Sequence, residues 1–480
     1  MIAQTNRTAV PFVFLSAIFI LSLLAAGLTN QPVVVLTSFT ALLFYAGWLQ
    51  VNIVFYLLLL SLPFSFEYNF TASLGTDIPD EALMLLTSVL FFCYWIYNPR
   101  SINKNVWRHP LLFLLLIHIG WIIIAGTGST HPLLSLKIIL AKGWYVGAFV
   151  LAGLIVFCEK QAIRIAAIIL ATSILLIAII ALIRHSFTGF SFADVNKAVA
   201  PFFRNHVNYS SMLVCLTPLL FAFYSLSSKK SVRSWIVVAI IILLAALFFS
   251  YARGAWLALL LGVISYWLVH KKLFFAGFVV IVALGIATLF WLKNNDRYLH
   301  YAHDFKTTIY HEDFKQHLVA TYQLKDVSTA ERFYRWVAGV RMIKDNAFTG
   351  YGPGTFYENY KPYGVPAFKT WVSDNKEHST VHNYFLLTAI EQGIPGLVIF
   401  LVLLGAMFYY AQQLYHRIAD LFYKTAAITI AIMLTMLTTL NFLSDLIETD
   451  KVGSLFFLCL SALIMIDSNT RKELQPFSHI

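Results

Sequence analysis

The chain has 480 residues, 59% of them hydrophobic and only 12% charged, with a mean hydropathy of +0.74. A soluble domain is about 25% charged, so this composition excludes an ordinary soluble globular chain and points to one that crosses a bilayer many times. The formal net charge of +11 is not the footprint of a nucleic-acid binder, because the basic excess lies in short loops between apolar runs, as membrane topology requires.

Runs of about 17–25 apolar residues are each long enough to cross a bilayer. In lipid such runs fold as helices, since no strand edge can stay unpaired there, and the alternating pattern of an outer-membrane barrel strand does not fit them. Candidate spans lie near 10–28, 32–49, 51–64, 80–97, 110–126, 133–157, 163–183, 207–226, 235–250, 256–270, 273–292, 394–412, 424–444 and 452–466. The run 51–64 and the pair within 235–270 are the weakest, so the expected fold is an all-α polytopic bundle of about 12–14 transmembrane helices. Four segments follow: an N-terminal bundle (1–230), hairpins that carry an Arg–Gly pair (231–292), a large polar loop (293–384), and C-terminal helices with a tail (385–480).

Arg7 is the one basic residue ahead of the first run, and no small-residue cleavage site is evident, so that run reads as a retained helix rather than a signal peptide. Cys93, Cys158, Cys215 and Cys459 all sit in or beside apolar runs and form no CxxC pair, so they read as lipid- or core-facing. Basic residues crowd one set of loop ends, for example Arg100, Lys104, Arg108, Lys229, Lys230, Lys271 and Lys272, while the other set holds only Arg184, Lys197, Arg204, Arg253 and Lys451. The crowded set belongs in the cytoplasm. Both termini are then cytoplasmic, the number of spans is even, and the loop 293–384 lies outside.

That loop is too long for a plain connector, and long loops without structure are uncommon unless functional. "STAERFYRWVAGVRMIKDNAF" opens with a capping box, Ser328 to Glu331, and continues with Phe333, Val337, Val340 and Ile343 at helical spacing. "TGYGPGTF" (349–356) is a Gly/Pro turn that stops the helix. No internal repeat or low-complexity tract is seen.

Charges in or at the mouths of spans come first as functional candidates, because they are costly there. Arg253 in "FFSYARGAW" is either an arginine snorkelling to the interface or an anion clamp whose fork matches phosphate oxygens. Arg332, Arg335 and Arg341 lie on the loop helix, and the first two share a face. Arg332 sits in the first turn, where the helix dipole disfavours a cation, so it calls for either a carboxylate such as Glu331 or an anionic ligand. Arg204 and His206 fall at another outer mouth, and Lys137 and Lys142 within the span 133–157 either line an interior pathway or snorkel. His382 opens a helix in "TVHNYFLLTAIEQG" (380–393). The positive end of a helix attracts phosphates and favours a neutral imidazole, which can act as a general base. Glu391 interrupts the apolar run behind it and is expected to meet backbone or a basic neighbour near the "GIPG" break. "DNKEHSTVH" (374–382) holds Asp374, Glu377, His378 and His382 but matches no known metal spacing, and no nucleotide loop, HExxH or GxSxG is present.

"FSYARGAW", "STAERFYRWVAGVRMIKDNAFTGYGPGTF" and "VHNYFLLTAIEQGIPGL" occur in the order seen in the O-antigen ligase and O-antigen polymerase superfamily, and over about 235–410 the chain resembles it. The resemblance implies a bacterial inner-membrane glycosyltransferase. It would take an undecaprenyl-diphosphate-linked glycan at the periplasmic face and transfer it to an acceptor, with no nucleotide sugar, cofactor or metal and no nucleic-acid partner. In ligases the acceptor is lipid A–core; in polymerases it is another lipid-linked repeat. Carried across motif by motif, the catalytic residues are Arg253, Arg332 and His382, with His382 as general base. Arg204, a weaker match, is expected with Arg335, Arg341 and Asn383 to bind substrate. A transporter or flippase of lipid-linked glycan is the alternative from another class. It predicts more ionisable residues deep in the spans than Lys137, Lys142 and Glu391.

Overall fold

The structure, a computed structural model, describes residues 43–69, 75–295, 327–366 and 380–473, together with a few isolated positions. The expected span near 10–28 falls almost entirely outside the described residues, and that near 32–49 is described chiefly over 43–49, where it is helical. The remaining spans are helices. They are α1 (Val51–Ser61), α2 (Asp80–Tyr97), α3 (Pro110–Thr127), α4 (Pro132–Val156), α5 (Lys160–Ser186), α6 (His206–Leu226) and α7 (Lys230–Phe248). They continue as α8 (Arg253–His270), α9 (Phe274–Lys293), then α10 (Val327–Asp345) in the polar loop, α11 (Tyr384–Arg417), α12 (Leu421–Leu443) and α13 (Asp450–Glu473). Eleven of the described helices are long and apolar enough to cross a membrane; α1, extended by a 3-10 turn to Phe64, is shorter. The uncertain pair within 235–270 therefore resolves into two full helices, α7 and α8. The chain is an all-α polytopic membrane protein whose one described sheet is the hairpin β1 (Phe66–Asn69) with β2 (Gly75–Ile78).

Helix starts follow local chemistry. Asn205, Asn383 and Asp420 each turn a side-chain oxygen onto a backbone N–H of the following first turn, and α3 and α4 begin at a proline, which has no N–H to leave unpaired. The bundle core is apolar and continuous; Phe55 sits edge-on to both Phe91 and Phe157 at its centre. Ion pairs sort by end of the bundle. At one end Lys160 meets Asp420 (2.6 Å), and Asp467 gathers Arg417 (2.5 Å), Arg471 (2.9 Å) and His109 (3.3 Å). At the other lie Arg204 with Glu67, Lys451 donating to the Ser65 carbonyl, and the turn after α12.

The polar loop builds a second, smaller core over that second end: Tyr334, Ala338 and Met342 of α10 with Phe356, Tyr360, Val381, Leu387 and Ile390. The buried side of α10 holds Tyr334, Val337, Ala338 and Met342, and Phe333 and Ile343 pack against the same core. Of the expected 333, 337, 340 and 343, only Val340 departs, at 45% exposed, because the face turned to α11 is shifted toward Tyr334, Ala338 and Met342. The Ser328 side chain of the expected capping box lies outside the described residues. The Glu331 carboxylate takes a bond from Ser373 Oγ (2.5 Å) and pairs with Arg335 (3.3 Å).

Candidate active site

The stretch 380–393 joins the loop core to the bundle, and its helix ends sharply. Gly393 takes φ +71°, and Pro395 follows. Proline has no N–H for the carbonyl four residues back, so the Glu391 carbonyl loses its helical donor. Gly352 N–H supplies one at 2.9 Å; Tyr351 N–H bonds the Ile390 carbonyl at 3.0 Å, and Trp121 Nε1–H the Gln392 carbonyl at 2.8 Å. Each exposed carbonyl of the broken helix thus has a partner from the "TGYGPGTF" turn or from α3. The Glu391 side chain, also buried, accepts from Gly354 N–H (2.8 Å) and Phe356 N–H (3.1 Å). Glu391 thus meets backbone, as expected, and pins the turn to the helix. A Cβ at Gly393 would lie 2.0 Å from the Phe348 carbonyl oxygen, so the contact admits only glycine.

The start of the same helix carries the candidate groups His382 and Asn383. Asn383 caps it, its Oδ1 accepting from Leu386 N–H at 2.9 Å. His382, just ahead, is held at φ +53°, an uncommon conformation that histidine tolerates better than most residues. Its Nε2 faces Arg335 Nη1 at 3.4 Å and its Nδ1 faces Asp445 Oδ1 at 4.0 Å. Arg335 is buried and also donates to the Thr380 carbonyl at 2.9 Å. Burial, then the charges of Arg332 and Arg335, push the imidazole down to about 3, so His382 is neutral at working pH. Burial pushes the Asp445 carboxyl above its ordinary range.

Arg253 lies at the end of α8 that packs beside the last residues of α12. It is the first residue of α8, and Gly254 beside it packs so closely on Leu443 that an added Cβ would come within 3.1 Å. Leu443 leads directly into Ser444, whose carbonyl accepts from Tyr384 N–H at 3.0 Å, and into Asp445. His382, Arg332 and Arg335 therefore stand together, and Arg253 heads the helix whose second residue, Gly254, packs on the Leu443 side chain at this end of α12. Arg204 lies further along this end, on Glu67 of the hairpin (2.8 Å). Arg341, exposed on α10, donates to the Tyr363 carbonyl at 3.4 Å. Lys137 is exposed, whereas Lys142 is buried against Glu448. Asp374, Glu377 and His378 lie outside the described residues.

Sequence reasoning missed Asp445 and Glu448. The signal was present in "LSDLIETD" (443–450), three carboxylates in a short link between two spans, where charge at a membrane mouth asks for a reason.

Residues 236–401 match the family model described as O-Antigen ligase. The match covers α8, the loop core and the Gly393 break, and bears out the resemblance read from the motifs. An O-antigen ligase of Salmonella typhimurium is 26% identical over 218 residues, which make up 45% of this chain and 49% of that protein. The aligned part thus spans about half the length of this curated relative.

Proposed function

We propose that the chain transfers a glycan from undecaprenyl diphosphate to an acceptor hydroxyl at the periplasmic face of a bacterial inner membrane, in the manner of an O-antigen ligase with lipid A–core as acceptor. The observation that carries this is a neutral histidine at the mouth of the bundle, with two arginines and a carboxylate around it. The positive-inside rule places this end outside and both termini in the cytoplasm.

The donor's diphosphate binds Arg253 and Arg332, whose guanidinium forks match its oxygens. Its negative charge offsets the guanidinium charges that hold the His382 imidazole down, so donor binding raises the basicity of His382 when a base is needed. Asp445, facing Nδ1, favours the tautomer with the proton there and puts the lone pair on Nε2, which faces Arg335 Nη1 in the empty site. The acceptor hydroxyl takes the place of that guanidinium N–H at Nε2 and passes its proton to the nitrogen. The acceptor oxygen bonds to the anomeric carbon, and the carbon–oxygen bond to the diphosphate breaks with its electron pair on the phosphate oxygen. Direct attack inverts the anomeric centre. The arginines stabilise the charge that develops on the leaving group, so the reaction as proposed calls for no metal. The spans hold the polyprenyl tail, and the loop core covers the reacting atoms.

Purified protein given lipid-linked glycan with lipid A–core is expected to yield the glycan-bearing lipid. Turnover on lipid-linked repeats alone would replace the ligase reading with a polymerase. Movement of the donor across vesicles without transfer would replace it with a transporter.

A further inference from the structure

Lys142 takes no part in the reaction above, yet it is one of the most buried charges in the bundle, 5% exposed. Its ammonium meets Glu448 at 2.9 Å and stands 5.9 Å from the centre of the Tyr384 ring and 5.7 Å from that of Tyr145. Glu448 closes the 3-10 turn Leu446–Glu448, which begins directly after Asp445. That turn is tied on several sides. Tyr384 N–H holds the Ser444 carbonyl and the Tyr384 hydroxyl bonds Glu448, Thr380 bonds Asp445, Asn441 Oδ1 holds Ile447 N–H at 2.9 Å, and Lys142 holds Glu448. The ties from Thr380 and Tyr384 run to the residues either side of His382, that from Asn441 to α12 itself, and that from Lys142 to α4.

We propose that Lys142, acting through Glu448, is a positioning residue for the transfer reaction: the ion pair fixes the 444–448 turn so that Asp445 stays against His382. This rests on the assignment of His382 as the base. A buried ion pair is poor evidence of stabilisation, since apolar residues of similar volume often serve a fold as well or better. Its use here is geometric. Asp445 reaches His382 only at 4.0 Å, and a misplacement of about 1 Å in a catalytic group costs on the order of a hundredfold in rate. Without the Lys142 tie, the turn keeps no link to α4 through Glu448.

The test neutralises the pair as a unit, so that no lone charge stays buried. In Lys142→Met/Glu448→Gln, kcat should fall about tenfold or more, with the KM for the lipid-linked donor within about twofold. Amide exchange over 444–449 should become faster, and Lys142→Arg alone should keep most of kcat. A folded double variant with wild-type kcat, or unchanged exchange in that turn, overturns the proposal. If the double variant does not fold, Glu448→Asp makes the same comparison, because it shortens the tether by one methylene and keeps the charge. A lower kcat at unchanged donor KM then supports the tether, and wild-type kcat overturns it. Wild-type protein that fails to transfer glycan counts against the transferase reading, whereas the exchange measurement still judges the tether on its own.

Discussion

His382 and Asp445, 63 residues apart in the chain, face each other at 4.0 Å across the mouth of the bundle, Nδ1 to Oδ1. The contact joins the start of α11 to the end of α12, and Tyr384 N–H on the Ser444 carbonyl holds the two backbones in register beside it. A pair at this distance is loose for a hydrogen bond, but catalytic contacts often tighten only when substrate arrives. Asp445→Asn keeps the shape and removes the charge that orients the imidazole. Transfer should fall by about tenfold or more in kcat with little change in donor KM. An asparagine variant as fast as wild type would remove Asp445 from the reaction.

His382→Ala takes away the proposed base. Loss of a positioned general base lowers the rate by about 10²–10⁴-fold. The side chain is about one-third exposed and at a strained φ, so the fold should survive its removal. Yield and thermal melting in detergent should match wild type while transfer is lost. Retained transfer would mean another group takes the proton.

Arg253→Lys separates a phosphate fork from a snorkelling side chain. Lysine keeps the charge but cannot give two parallel N–H bonds to a phosphate. If the fork binds the leaving diphosphate, kcat/KM for the donor should drop by about 10–100-fold. Full activity in the lysine variant restores the interfacial reading.

Much of this was legible in the sequence, for identifiable reasons. The described spans fall within a few residues of the apolar runs, because in lipid a run of that length has no alternative to a helix. Arg253, Arg332 and His382 are legible as candidates because a charge at a span mouth, or a cation in a helix's first turn, calls for a reason. What escaped was fixed by pairing between distant segments. Arg335 looked equal to Arg341, but packing of α10 on α11 buries the first beside His382 and leaves the second exposed. Lys142 looked equal to Lys137, but only Lys142 faces Glu448. On α10 the apolar spacing finds Phe333, Val337 and Ile343 but not Tyr334 and Ala338, because the partner is a protein surface that accepts aromatic and small residues as readily as aliphatic ones.

Glu391 and Gly393 should prove structural and not chemical. Glu391→Ala strands the N–H groups of Gly354 and Phe356, and each buried donor left unsatisfied costs about 1–3 kcal/mol. Gly393→Ala forces a Cβ against the Phe348 carbonyl. Both variants should melt at lower temperature. Where they remain folded, the acid limb of the rate profile should be unmoved. A shifted limb at unchanged stability would give Glu391 a part in proton transfer.

The pH dependence tests the coupling between donor and base. His382 must be neutral to act, and in the empty site its imidazole sits at about 3, held down by burial and then by Arg332 and Arg335. The acid limb of kcat/KM for the donor reports the free enzyme and should therefore lie at low pH, while that of kcat reports the bound complex. A bound diphosphate offsets the arginine charge and raises the imidazole, so the kcat limb should sit at higher pH than the kcat/KM limb. Arg332→Gln removes one of the depressing charges from the free enzyme. It should move the kcat/KM limb upward, toward the ordinary histidine value of about 6.5, and narrow the gap between the two. Coincident limbs in the wild type, or a kcat/KM limb that Arg332→Gln leaves in place, would separate His382 from the arginines and leave the proton to another group.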